Sequence, residues 1–262
     1  MMAFGRCIYG AAVMTFGVIG LAWGDFILGQ PVPKDLPGRT VLASVAAAFL
    51  FVAGAAIEWR RTAARGAAAL TAYYALIVVI LMNGRVLLAR YAEFGTYSGI
   101  AEQLAIAAGG LIICASSARL DAAMARRLIR TGECVFGVCA ILFGGAHFFY
   151  MSLTTPLVPR WLPPAPEFWA YATGIGHIAA GVAILAGVQA RLAAILLTAM
   201  YASFTPLVHV PMLLADPRSR TNWTENALNL ALVGAAWVVA SALAKSPSEL
   251  PAASQRNSNI AG

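Results

Sequence analysis

The residues of this chain best suited to chemistry are three histidines, His147, His177 and His209, and each falls inside a long apolar segment. An imidazole in such a segment is costly unless it finds a partner in the bundle or a ligand. Four arrangements are open: hydrogen-bonded packing against Ser, Thr or backbone, contact with a quinone-type ligand, ligation of a haem, and a metal centre. Depth separates some of them. At about 1.5 Å per residue, His147 lies roughly 22 Å into its segment and His177 about 13 Å below the opposite surface. His209 lies close to that surface, so His147 and His209 could meet there, with His177 deeper. On that register a compact three-histidine metal centre is not expected, and no spacing signature singles out haem. The three histidines are therefore the cofactor-binding candidates, with the ligand open.

The remaining polar residues have structural readings. Cys7, Cys114, Cys134 and Cys139 contain no Cys-x-x-Cys pair, so thiol–disulfide chemistry is not expected. Glu102 follows Ser98 and Gly99, and Glu225 follows Asn222 by three, the pattern of acids that satisfy helix N-terminal amides. Asn222, Glu225, Asn226 and Asn229 recur at helical spacing and must face protein or water rather than lipid. Two loops, Asp25 to Gly38 and Ser152 to Glu167, share a Val-Pro-basic-x-Leu-Pro element, which suits either anchoring at the headgroups or a stiff lid.

The elements that must position these residues come in two copies. Gly5, Cys7, Gly10, Phe16 and Gly17 recur 127 positions later as Gly132, Cys134, Gly137, Phe143 and Gly144. The histidines are unique to the second copy: the aligned residues in the first are Gly20, Leu50 and Met82. With 60% apolar and 11% charged residues, the chain has the composition of a polytopic membrane protein. Eight runs are long enough to span a bilayer, near 6–24, 39–58, 66–88, 99–118, 132–151, 168–187, 190–210 and 224–244. The expectation is an all-α fold of eight transmembrane helices, arranged as two parallel four-helix repeats because an even span count gives both copies the same orientation. The domains read as repeat 1–118, a basic linker 119–131, repeat 132–245 and a disordered tail 246–262. The linker suits either a short helix at the anionic membrane surface or a solvated connection. Because the first run has its counterpart in the chain interior, it reads as an uncleaved span rather than a signal peptide.

Lys and Arg are distributed 11 to 7 between the two sides, which places both termini in the cytoplasm. The net charge of +7 is thus a topology signal, and no soluble basic domain is present to bind nucleic acid. Neither a nucleotide-binding loop nor a hydrolase triad is present to suggest a self-contained enzyme.

Gly145-Ala146-His147-Phe148, then Pro159-Arg160-Trp161-Leu162-Pro163, Thr173-Gly174 to His177, Ala180-Gly181 and Arg191-Leu192-Ala193 form a further pattern. It resembles the DoxX-like family of four-span bacterial membrane proteins, best over 130–240 and more faintly over 5–118. The resemblance implies a four-helix unit in the bacterial inner membrane. It also implies a quinone-interacting or accessory role beside other membrane oxidoreductase subunits, with His147 and the Pro159 to Pro163 element as the matching positions. A non-catalytic transporter or scaffold, using the polar stripe and the groove between the repeats, is the alternative.

Overall fold

A computed structural model describes residues 1–244, and the expected disordered tail lies outside the described residues. Eight helices are long and apolar enough to cross a membrane: α1 (Met2–Trp23), α2 (Arg39–Glu58), α3 (Ala63–Ala89), α4 (Phe94–Ser117), α5 (Ala122–Phe149), α6 (Pro166–Ala186), α7 (Ala190–Ala215) and α8 (Arg220–Ala242). Helix is the only regular structure among the described residues. This is an all-α, multi-pass membrane fold, since helices are one of the two ways a backbone can satisfy its own polar groups in lipid.

The packing of the first four helices recurs in the last four. α1 lies against α2 and α8, as α5 lies against α6 and α4; α3 rests on α2 and α4, as α7 rests on α6 and α8. α4 and α8 meet at the centre. Their apolar windows are 61% and 72% buried, against 17% for α3 and 22% for α7, so the latter pair forms the flanks that face lipid. The halves are interlocked rather than set side by side, because each contributes its first helix to the other's last.

Close helix approach explains the recurring glycines. α1 crosses α2 where Gly10 faces Gly54, and α5 crosses α6 where Gly137 faces Gly181 and Gly144 faces Gly174. A Cβ on Gly54 would lie 2.7 Å from the Met14 backbone nitrogen, and one on Gly144 would lie 2.6 Å from the Gly174 carbonyl oxygen. In lipid, where apolar side chains gain little by leaving the solvent, such backbone contact is a main source of helix association. The cores around these crossings are filled by Tyr9, Phe16, Leu50, Phe136, Ile184 and Leu197.

Basic residues cap neighbouring helices. The Arg130 guanidinium donates to the Ile184 and Leu185 carbonyls at the end of α6 (3.0 and 2.6 Å), and Arg6 donates to the Glu58 carbonyl at the end of α2 (3.4 Å). Cations placed there satisfy carbonyls that the helix itself leaves free.

Two expectations are corrected. The basic stretch 119–131 is neither a surface helix nor a linker, because most of it forms the opening turns of α5. The Asp121 carboxylate caps that helix by accepting from the Ala123 and Met124 amides. Neither Glu102 nor Glu225 is a capping acid. α4 begins at Phe94, well before Glu102, and α8 is capped by the Ser219 hydroxyl, which accepts from the Asn222 amide at 3.2 Å.

Candidate functional site

α5, α6 and α7 bring His147 and His177 into direct contact, with ring centroids 5.2 Å apart. The meeting of His147 with His209 that depth alone allows is not among the contacts of either ring. The reason lies in side-chain direction: helical side chains lean back towards their own N-terminus. With Gly144 opposite Gly174 in an antiparallel pair, His147 leans from one end of the crossing and His177 from the other, so the rings converge. Counting depth along the axes alone misses this. His209 ends a widened helical segment, Thr205–His209, that Pro206 introduces into α7, and its Nδ1 is buried without a partner.

Both rings are fixed by hydrogen bonds from Nδ1. His177 Nδ1 lies 2.8 Å from the Thr173 carbonyl oxygen, one turn earlier on α6. His147 Nδ1 lies 3.0 Å from the Ala170 carbonyl oxygen and 3.2 Å from Thr173 Oγ1. Thr173 thus serves both rings, with its carbonyl and with its hydroxyl. Aromatic groups surround His177: Tyr201 at 5.3 Å, Phe143 at 6.2 Å and Phe204 at 6.4 Å between centroids. The Tyr201 hydroxyl is buried and has no hydrogen-bond partner. A haem held between the two rings does not fit, since the imidazoles touch and leave no space for a macrocycle. Among the described residues, no group of three or more His, Cys, Asp or Glu is placed to hold a metal ion.

A mostly apolar groove of about 320 Å³ runs between α6 and α7, lined by Gly176, Ala180, Ala183, Leu196, Leu197 and Met200. Gly176 and Met200, on facing sides of this groove, are the sequence neighbours of His177 and Tyr201. A more polar hollow of about 550 Å³, with Ser152, Thr155, Arg160 and Glu167 on its walls, lies just beyond the end of α5 that carries His147.

The first half has no such cluster, and its loop shows why. Phe26, Ile27 and Gln30 are buried. At Gly20, the position aligned with His147, a Cβ would lie 2.7 Å from the Ala47 methyl and 3.5 Å from the Asp25 carbonyl oxygen, so loop and helix occupy the space of an imidazole. The loop is latched by Asp25, whose carboxylate accepts from Arg39 on α2 and, at 2.7 Å, from Arg220 on α8. Burial opposes ionisation of Asp25, but the hydrogen bonds from Arg220, Arg39 and the Phe26 amide outweigh it and hold the carboxyl below its ordinary value. The second-half loop stands out instead: Trp161 is exposed, and the Trp169 indole donates to the Pro163 carbonyl at 2.8 Å.

Two residues of the polar stripe of α8 are absorbed by structure, while Asn226 Oδ1 is buried without a partner. Asn222 donates to the Met212 carbonyl at 2.8 Å, and Asn229 donates to the Tyr201 carbonyl at 3.0 Å and to Thr205 Oγ1 at 2.8 Å. Asn229 thereby ties α8 to the segment of α7 that bears Tyr201.

Tyr201 and Thr173 are the site residues that reading for histidine overlooks. One signal was present for Tyr201, which stands 127 positions after Tyr74, the offset of the duplication. Both tyrosines are buried with unpartnered hydroxyls, so the tyrosine recurs at this offset while the histidines do not.

Residues 136–244 match a family model described as a domain of unknown function (DUF8561). That stretch contains the whole cluster. No curated protein and no solved structure matches the chain.

Proposed function

We propose that this chain is a DoxX-like protein of the bacterial inner membrane, with both termini in the cytoplasm. In this reading it holds a lipid-soluble ring of the quinone class between α5, α6 and α7, as an accessory subunit of a membrane oxidoreductase. One observation carries the proposal: the buried His177 imidazole in contact with the half-buried one of His147, with the Tyr201 ring and its unpartnered hydroxyl packed on His177, and an apolar groove lined by their neighbours Gly176 and Met200. The groove suits an isoprenoid or alkyl tail, and the adjoining imidazoles would supply the few placed polar groups that mostly apolar ligand sites carry. His147 and His177 would contact the ring; His209, outside the cluster, is not assigned to it.

The test is ligand retention. Protein purified in mild detergent is extracted with organic solvent and its lipids are analysed for quinones, alongside His147→Leu and His177→Leu. The expected result is a quinone-class lipid in the parent and its loss in either variant, with unfolding free energy changed by less than about 1 kcal/mol because leucine fills the space. Retention of the same lipid in both variants, with stability alone reduced, would overturn the proposal and leave the histidines as packing residues.

A further inference from the structure

Beyond the end of α5, apart from the histidine cluster and independent of any role for it, lies the more polar hollow of about 550 Å³. We infer that it binds the headgroup of a zwitterionic phospholipid, one that carries a phosphate and a primary ammonium. Four polar side chains line it: Ser152, Thr155, Arg160 and Glu167. Among the described residues, none of the four side chains forms a hydrogen bond or an ion pair with the protein. Glu167 lies in the first turn of α6 yet makes no cap hydrogen bond. The first half uses its charges differently. Asp25 is bound there by Arg39 and Arg220, whereas the residue 127 positions on is Ser152, so the second loop lacks the carboxylate that draws its counterpart inward. Arg160 and Glu167 are left on the walls of an open space and unpaired with each other.

The charges select the ligand. A simple anion would meet Arg160 but be repelled by Glu167, and a simple cation the reverse, so a ligand bearing both charges complements the walls. A phosphate suits the arginine fork and the two hydroxyls, which donate to its oxygens. A primary ammonium suits Glu167, to which it donates charge-assisted hydrogen bonds. A quaternary ammonium donates none and is held by aromatic faces, and the lining contains no aromatic residue. Depth identifies the source of such a ligand. The same loop and helix ends carry Phe149, Leu153, Trp161 and Phe168, exposed at 67%, 69%, 71% and 52%. These form an apolar and aromatic belt of the kind that sits at the membrane interface, where phospholipid headgroups lie. The volume falls within the range of roughly 300–1,000 Å³ typical of small-ligand sites. Pro156, Pro166 and the Val158 amide, which donates to the Thr155 carbonyl at 3.1 Å, stiffen the walls, so binding has little left to order.

Native mass spectrometry of the full chain in detergent, titrated with phosphatidylethanolamine, phosphatidylcholine and phosphatidylglycerol of matched acyl chains, tests the inference. Phosphatidylethanolamine is expected to bind about tenfold more tightly than either of the others. Glu167→Gln should lose that preference while holding phosphatidylglycerol no less tightly, and Arg160→Gln should weaken all three. Both side chains are exposed, so the unfolding curves of the variants should match that of the parent and the lipid binding is read on folded protein. Equal binding of the three lipids by the parent, or a preference that survives in Glu167→Gln, would overturn the inference. Free glycerophosphoethanolamine, the same headgroup without acyl chains, should bind at least about tenfold more weakly than the lipid; equal affinity would overturn the bilayer as the source of the ligand. The quinone content of the same preparations should be unchanged in both variants, which keeps failure at this hollow distinct from failure of the proposed function.

Discussion

Replacing Asp25 with Asn tests how the first half came to be closed. The carboxylate accepts from Arg39 and Arg220 and from the Phe26 amide, joining the loop to helices that lie far apart in the chain. Hydrogen bonds to charged groups are worth roughly 1.5–3 kcal/mol each when buried, and exposed ion pairs about 1 kcal/mol or less. Here the side chains of Asp25, Arg39 and Arg220 keep 27%, 22% and 29% of their exposure, and Asn still offers one acceptor, so the net loss should be about 1–2 kcal/mol. Thermal or denaturant unfolding in detergent, run as a double-mutant cycle with Arg220→Gln, isolates the pair; a coupling of about 1 kcal/mol is expected. The pH dependence has a definite sign. Because the folded carboxyl titrates below its ordinary value of about 3.9, its contribution is fully present above the ordinary carboxylate range. It is lost as pH falls through that range towards the folded value, and Asp25→Asn should lack this part of the acid slope. Coupling within about 0.3 kcal/mol of zero, together with identical acid slopes in parent and variant, would refute the latch.

Two further outcomes are expected. Gly144→Ala should destabilise by about 1–3 kcal/mol, because its Cβ would meet the Gly174 carbonyl, whereas Gly99→Ala, with nothing within 4 Å of the added carbon, should be neutral or stabilising by up to about 1 kcal/mol; equal effects, read from unfolding curves, would discount the helix crossing. Reporters fused after Ser246 and inserted between Thr154 and Pro166 should report opposite sides of the membrane, the first cytoplasmic; signals from the same side would overturn the proposed orientation.

The spans were legible because lipid permits few solutions: an apolar run of sufficient length becomes a helix. The ends were less so. The basic residues from Arg119 to Arg130 read as a break in hydropathy, yet Asp121 caps them into α5, and hydropathy does not register a cap. Glu102 and Glu225 were assigned to helix starts for the same reason: polarity marks where an apolar run weakens, and here the helix had begun turns earlier. The histidines stood out by type, but which of them meet depends on side-chain direction across an antiparallel crossing, a three-dimensional property that counting residues along one axis cannot supply.

The recurrence of residues at an offset of 127 bears on both what was visible and what was hidden. Aligning the copies shows Gly20 where the second half has His147, and a missing side chain reads as empty space. It is filled space: the loop carrying Asp25 and the Ala47 methyl have moved in, and Phe26 and Ile27 are buried with it. The asymmetry between the halves therefore rests on a loop as much as on two histidines. The inward loop of the first half is held by Asp25 between Arg39 and Arg220 and by the buried Phe26 and Ile27. In the second half the loop stays out and leaves the end of α5 beside an open hollow. Restoring histidine at Gly20 and Leu50 would on this argument not create a second site, because the ring at position 20 would meet backbone and methyl groups already packed there.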